Sequence, residues 1–400
     1  MREISKFELI AMLAALIALN ALAIDIMLPA LPQIAQTLGA TNANDQQLVI
    51  SAYMIGVGIS ILFFGPISDR FGRRSPLIIG FIVYIIASLA AIIAPSFTSL
   101  LLLRFIQGLG TAIFRIIAIA VMRDKYEGRA MAEVMSLVYM MFMIVPIIAP
   151  SIGQLILFSG SWQLIFVFVA AMGIIVGIWA YFRLPETLDP KNVRELSLAS
   201  IFGGFKIVIS NRFSFSYALA GMFIYGALIG MLNSSQQVFV EVYNLGALFP
   251  LAFAGIGVIM ATASFINSRI VKRIGMRIIA HFSLIIFILT SLTLAVLSQL
   301  FLLQFIVFYP LMGVIFFMFS LTTSNMNSLS MQPLGKVAGT AASAFGFVQT
   351  LGGALIGLTI GQMYNGSVTP LVSGFAIAGS LALALVLYAE KGKLFGTSED

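Results

Sequence analysis

The feature that most constrains this chain is a rhythm of apolar stretches, each close to the ~20 residues a helix needs to cross a bilayer. They recur at 7–31, 46–66, 75–95, 97–122, 130–157 and 161–183, and again at 213–241, 247–267, 276–297, 301–327, 337–362 and 369–389. The longest polar segment, 184–212, separates the two sets of six. Twelve such spans predict an all-α membrane protein. The composition agrees, with 60% hydrophobic and 9% charged residues, outside the range of soluble domains.

The basic residues test the count of spans independently. Twenty of the 22 Lys and Arg lie in the two ends or in the even-numbered loops, and the odd-numbered loops hold none. By the positive-inside rule both termini are expected in the cytoplasm. The formal net charge of +7 is therefore read as membrane orientation and not as a nucleic-acid footprint, and the expected surroundings are a lipid bilayer. The first span is expected to be a retained helix. It is longer than a signal-peptide core, carries Asp25, and runs into Pro29 and Pro32 instead of a small-residue cleavage site.

The halves echo each other. "GPISDRFGRR" (65–74) lies between spans 2 and 3, and "SRIVKRIGMR" (268–277) between spans 8 and 9. Arg70 and Arg273, Gly72 and Gly275, and Arg74 and Arg277 share one offset. The expected organisation is an N-terminal six-helix bundle (1–183), a cytoplasmic linker (184–212) and a C-terminal six-helix bundle (213–400), pseudo-symmetric as in many transporters. Within the linker, "SLASIFGGFKIVIS" (197–210) is expected to form an amphipathic helix on the membrane surface.

Chemistry-bearing residues are few. The chain has no Cys and one His, His281, so neither a disulfide, a cysteine nucleophile nor a histidine metal cluster is available. A GxxxxGK[ST] loop is absent. No cofactor is expected, and an enzyme is disfavoured because Asp25 has no acid, base or nucleophile beside it. Asp25 is the only acid well inside a span; Glu133 and Glu241 lie near span ends. In span 4, "LLLRFIQGLGTAIFR" (101–115) places Gln107, Thr111 and Arg115 within about 60° of Arg104 at 100° per residue. A stripe with two arginines must face a neighbouring helix or a water-filled cavity. Asp25 and Arg104 lie at similar depth, roughly 9 Å below the outer boundary by helical rise. In span 5, "PIIAPSIGQ" (146–154) supplies Pro146 and Pro150 as kinks and Ala149 and Gly153 as a close-packing face. In the loop 65–74, Gly65 and Gly72 permit close backbone approach, and Asp69 can pair with Arg70, Arg73 or Arg74 or cap a neighbouring helix.

Placed in this frame, "GPISDRFGRR" resembles the cytoplasmic loop signature of the major facilitator superfamily. "RFIQGLG" resembles the fourth-helix motif of its drug:proton antiporters, and "PIIAPSIGQ" resembles their fifth-helix antiporter motif with two glycines missing. "DIMLPALP", "VMRDKY" and "RLPET" narrow the resemblance to the bicyclomycin/chloramphenicol-resistance (Bcr/CflA) type. The resemblance implies the major facilitator fold, an alternating-access mechanism, and a latch role for Gly65, Asp69, Arg70, Gly72, Arg73 and Arg74. With no targeting presequence, it also implies a bacterial inner membrane.

The expected function is proton-coupled efflux of small hydrophobic drugs by a monomer. The alternative is export of an endogenous metabolite such as an amino acid, sugar or carboxylate siderophore. Burial favours a neutral carboxyl and a nearby arginine favours an ionised one; a cavity that opens and closes changes both. Asp25 is therefore the expected proton site and Arg104 its tuner, against the plainer reading of a fixed Asp25–Arg104 pair that orients two helices. The expected substrate cavity comprises Gln107, Thr111, Arg115, Tyr53, Tyr139, Asn233, Gln236, Phe345 and Gln349. Arg115 would repel a cation unless paired, with Glu133 the candidate partner, and is the residue that favours an anionic or zwitterionic cargo. His281 is expected to be structural.

Overall fold

The structure is a computed structural model that describes residues 4–193, 203 and 206–396. Among these residues twelve helical spans are long and apolar enough to cross a membrane, as the apolar rhythm requires. The chain divides into two compact units, Met1–Ile201 and Phe202–Asp400.

In the first unit the spanning helices are α1 (Lys6–Asp25), α2 (Leu48–Phe71), α3 (Arg74–Ile92), α4 (Phe97–Lys125), α5 (Gly128–Phe158) and α6 (Gln163–Arg183). In the second they are α7 (Arg212–Gln236), α8 (Phe249–Ile274), α9 (Met276–Leu300) and α10 (Phe305–Met331), followed by α11 and α12 (Thr369–Ala389). α11 is composite: Ala338–Phe347 and Gly353–Gln362 are joined by a π-helical turn, Val348–Gly352. The surface helix expected over 197–210 falls mostly outside the described residues; 206–210 are helical.

Two kinds of helix are distinguishable by burial. α3 and α6 keep an apolar face open, with Ile79, Ile82 and Ile86 on one and Ile175 and Ile178 on the other exposed. Such a face is stable only against lipid. α4, by contrast, sits inside its unit. Gly108 lies against the Tyr53 carbonyl of α2, and a β-carbon at Gly110 would stand 2.9 Å from the Gly80 carbonyl oxygen of α3. Three backbones meet there because those positions carry no side chain.

The second unit uses the same device between α7 and α11. A β-carbon on Gly357 would come within 2.8 Å of the Gly230 nitrogen, and one on Gly353 within 3.3 Å of the Gly226 nitrogen. α7 also ends in a π-helical turn, Gln237–Val242.

Candidate functional site

α1 is apolar on every side, as expected of a helix enclosed within a bundle, and its last residue is Asp25. The side chain is buried. Regular helix stops here for a covalent reason: Pro29, four residues on, has no N–H for the Asp25 carbonyl. The chain continues through a 3₁₀ turn, Leu28–Ala30, into a short helix, Leu31–Thr37. Among the described residues none forms a hydrogen bond or ion pair with the Asp25 carboxyl. A buried carboxyl without a fixed partner is costly as an anion and cheaper when protonated.

Arg104 reaches the same level of the unit and is fully buried. Its donors go elsewhere. Nη2 donates to the Ala23 carbonyl at 2.9 Å, Nε to the Val49 carbonyl at 3.2 Å and Nη1 to Gln107 Oε1 at 2.5 Å. The guanidinium also lies 4.4 Å from the centre of the Tyr53 ring, a cation–π distance. The fixed Asp25–Arg104 ion pair weighed from the sequence is therefore absent. Arg104 grips the α1 backbone two residues before the carboxyl and ties α1, α2 and α4 together. A second tier holds it in place. Gln107 Nε2 donates to Ser88 Oγ at 2.7 Å, Tyr53 Oη to Asn20 Oδ1 at 2.8 Å and Thr111 Oγ1 to the Gln107 carbonyl at 2.6 Å.

The stripe on α4 is thus an interior network from Arg104 to Thr111, and it ends there: Arg115 is exposed. Glu133 does not neutralise Arg115 as the sequence suggested, since it pairs with Lys6 at 2.8 Å. Tyr53 is fully buried as a support for Arg104, and Tyr139 is half-buried on α5.

α5 closes over the end of α1. Gly153 lies directly on the Ile26 carbonyl, the residue after Asp25, and a β-carbon there would also stand 3.1 Å from the Pro29 ring. Ala149 is fully buried, and Pro146 and Pro150 lie within the helix. The fifth-span motif therefore packs where the acid is.

At the other end of the unit, Gly72 takes φ +85°, a left-handed conformation that favours glycine, and the chain turns from α2 into α3. Arg73, 5% exposed, is the hub. Its Nε and Nη2 donate to both oxygens of Asp124 at 2.9 and 3.2 Å, and Nη1 donates to Asp69 at 2.7 Å. The capping role weighed for Asp69 falls to Glu186. The Glu186 carboxylate accepts the backbone N–H groups of Arg73 (2.9 Å) and Arg74 (3.2 Å) and those of Thr187 and Leu188, both at 3.0 Å. It occupies the N-terminus of α3, where a negative charge is favourable. Burial pushes the Glu186 carboxyl up, but these four donors outweigh it and hold it below the ordinary carboxylate value. Burial likewise opposes the charge on Arg73, and Asp124 and Asp69 more than restore it. Arg74 donates to the Tyr181 carbonyl at 2.7 Å. Gly65 accepts from Ser68 at 2.9 Å, and Arg70 is exposed.

Asn20, Ser88, Asp124 and Glu186 are the participants that sequence reasoning missed. Asp124 and Glu186 were in view within "VMRDKY" and "RLPET", but their partners lie 51 and 113 residues away.

In the second unit Asn233 and Gln236 are buried on α7. Gln349 donates to Asn327 at 3.2 Å and meets α7 near Gly221, about 18 Å from Asn233 by helical rise. Phe345 packs against Val208, Leu334 and Ala344. The four candidates of this unit thus form two levels and not one pocket.

Comparison with known proteins is consistent with this geometry. Residues 13–357 match the family model described as Major Facilitator Superfamily. The chain is 28% identical over 388 residues to a bicyclomycin resistance protein homolog of Haemophilus influenzae, covering 96% of each chain. It is 29% identical over 374 residues to the multidrug resistance protein MdtL of Klebsiella pneumoniae, covering 93% of each. Among solved structures, the xylose transporter XylE of E. coli superimposes with a TM-score of 0.72 at 13% identity, over 96% of this chain and 97% of that one; this likeness concerns the fold.

Proposed function

The chain belongs to the Major Facilitator Superfamily, as a multi-pass inner-membrane transporter and not an enzyme, and we propose that it is a proton-coupled antiporter that exports small hydrophobic drugs. The observation that carries this reading is Asp25: a buried carboxyl with no hydrogen-bond or ion-pair partner among the described residues, at the point where α1 loses its regular hydrogen bonding. Such a group binds a proton when enclosed and releases it when water or a cationic ligand reaches it. Drug and proton then compete for one site, and inward proton flow drives export as the unit alternates between enclosed and open forms. Neutral drugs can couple through the same conformational change.

Arg104 acts in this reading as a positioning residue. It holds the backbone of α1 by the Ala23 carbonyl, so the carboxyl stays at the depth where α5 closes on it. Drug export as the cargo class rests on the names of the relatives. The loop 65–74 serves as the latch on the side bearing the termini, which the distribution of Lys and Arg assigns to the cytoplasm. Buried Asn233 and Gln236 offer uncharged hydrogen-bonding groups to substrate, Arg115 an exposed cation, and Tyr139 an aromatic edge. A single chain suffices, because the acid and its supports lie within one unit.

The test is a drug-susceptibility panel in a pump-deficient bacterium expressing wild type and Asp25→Asn at equal levels. The panel spans neutral phenicols, lipophilic cations and zwitterionic quinolones. Resistance that vanishes with Asp25→Asn is the expected result. Wild type that is well expressed and confers no resistance would instead favour export of an endogenous metabolite.

A further inference from the structure

The one histidine of the chain, His281, is fully buried in the second unit, at the end where α9 begins and α12 stops. Its ring is held at both nitrogens. The backbone N–H of Phe395 points at Nδ1 from 3.0 Å, and Tyr217 Oη stands 2.7 Å from Nε2. Tyr217 Oη in turn donates to Glu390 Oε1 at 2.7 Å.

These contacts fix the proton positions. A backbone N–H can only donate, so Nδ1 must accept and carries no hydrogen. Tyr217 spends its one hydrogen on Glu390, so its oxygen must accept from Nε2–H. The chain reads Phe395 N–H to His281, His281 to Tyr217, Tyr217 to Glu390, with every donor matched. Only neutral imidazole, protonated at Nε2, satisfies it. An imidazolium has hydrogens on both nitrogens in either ring orientation and leaves the Phe395 N–H facing another donor.

Phe395 closes a turn whose first residues are bonded to the end of α12, Gly392 N–H to the Leu387 carbonyl at 2.8 Å and Lys393 N–H to the Glu390 carbonyl at 3.0 Å; beyond them the described backbone tie is the Phe395 N–H to His281. Lys391 and Phe395 both adopt left-handed backbone, at φ 53° and 64°, which is uncommon for residues with side chains. The Phe395 side chain is exposed, with its ring 5.8 Å from that of His281. The charged groups near His281 come from the elements packed on it and from the turn itself, which carries Lys391 and Lys393. α7 brings Tyr217 and Arg212, whose guanidinium donates to the Tyr388 and Ala389 carbonyls and lies over the Tyr388 ring. α12 is followed by Glu390, 3.9 Å from Nε2. α9 adds Arg277, 3.5 Å from Glu390. α10 carries no charged residue.

We infer that His281 is a second proton-binding site, distinct from Asp25, whose protonation releases the Phe395 end of the turn 391–396 from the second unit. At neutral pH the turn is docked through Phe395. When a proton binds Nδ1, the acceptor is lost, the Phe395 end of the turn leaves, and Glu390 stays beside the imidazolium as its counter-charge. The device reports pH on the side bearing the termini, where Glu390 and the turn meet solvent.

The absence of cysteine in the chain makes the test direct. Lys393→Cys in the full-length protein, carrying a nitroxide label and reconstituted in lipid nanodiscs, reports turn mobility from pH 8 to pH 5. The expected result is an immobile label at pH 8 that becomes mobile over the range where imidazoles titrate. The same change should persist in Glu390→Gln and disappear in His281→Gln, whose amide oxygen accepts from Phe395 at every pH. Mobility that is constant across the range in the wild type overturns the proposal, as does a label already mobile at pH 8. Loss of the pH response in Glu390→Gln alone would move the proton to that carboxyl and overturn the assignment to His281. If His281→Gln does not fold, deuterium exchange of segment 391–396 in the wild type, corrected for intrinsic rates, decides the matter. Protection independent of pH refutes the inference.

Discussion

The loops 65–74 and 268–277 are related by the internal repeat, and each turns two spanning helices through a glycine with positive φ, Gly72 and Gly275. Their chemistry has separated. In the first unit Arg73 is buried between Asp69 and Asp124, and Glu186 caps the start of α3. At the repeat-related positions of the second unit stand Met276 for Arg73, Lys272 for Asp69 and Asn327 for Asp124. Glu390, one residue out of strict register with Glu186, takes Tyr217 and Arg277 instead. The same holds inside the membrane, where Asp25 and Arg104 correspond to Leu228 and Val307. Helix geometry needs only apolar faces and glycines and so survives in both halves. Charge is expensive in hydrocarbon, and the first half alone keeps it there, as the Arg104 network and as Asp25, which stands outside that network.

Asp25→Asn should break this comparison most severely. It keeps the size and removes the titration, so export falls to the level of cells without the protein while membrane insertion is unchanged; Gln236→Leu in the second unit should alter the order of preferred drugs and leave coupling intact. Transport assays with an imposed proton gradient separate the two outcomes.

Arg104→Lys comes next. A lysine cannot serve carbonyls on α1 and α2 and the Gln107 side chain in one plane, and the lost charged hydrogen bonds cost about 2 kcal/mol. The melting temperature in detergent should fall, with an accompanying loss of transport.

Glu186→Gln tests the loop through pH. The Glu186 carboxyl is held below its ordinary value of 4.5. Its contribution is present in full above that pH and is lost as pH falls through the lowered value. Wild type should therefore melt higher than Glu186→Gln at pH 6 and lose this advantage on acidification below pH 4.5. Curves that stay parallel would show that the cap contributes nothing.

The smallest effect is expected from rebuilding the missing pair, with Lys272→Asp and Met276→Arg together. Without counterparts of Asp124 and Glu186, the new pair is exposed on the loop and should change stability by no more than about 0.5 kcal/mol. A larger gain would mean that the pair alone, without its surroundings, accounts for the first loop.

What the sequence made legible follows from the range of the forces involved. Spans, loop charges and the stripe Arg104–Gln107–Thr111 are local patterns, set by helical rise and rotation, and the structure keeps them. Arg115 lies as close in angle to Arg104 as Thr111 does, about 20° at 100° per residue, yet is exposed, although Phe114, Ile117 and Ala118 around it stay buried. The partners of Arg104 were illegible for the complementary reason. Ala23 and Val49 contribute backbone carbonyls, which no residue type announces, and Asn20 and Ser88 matter only once α1 meets Tyr53 of α2 and α3 meets Gln107 of α4.

The glycine seam between α7 and α11 has a mechanical consequence. Side chains that interlock act as teeth, and two helices so joined can move only by disengaging them. Along Gly226, Gly230, Gly353 and Gly357 each glycine faces a side chain or backbone of the other helix, Ile356, Ile360, Tyr225 and Ile229 in turn, so the helices are joined by few large knobs. Each helix also carries a π turn beside the seam, a place where one residue more than the α register is stored. Passing that residue along the helix changes its length on one side of the contact by about 1.5 Å, with the backbone still hydrogen-bonded throughout.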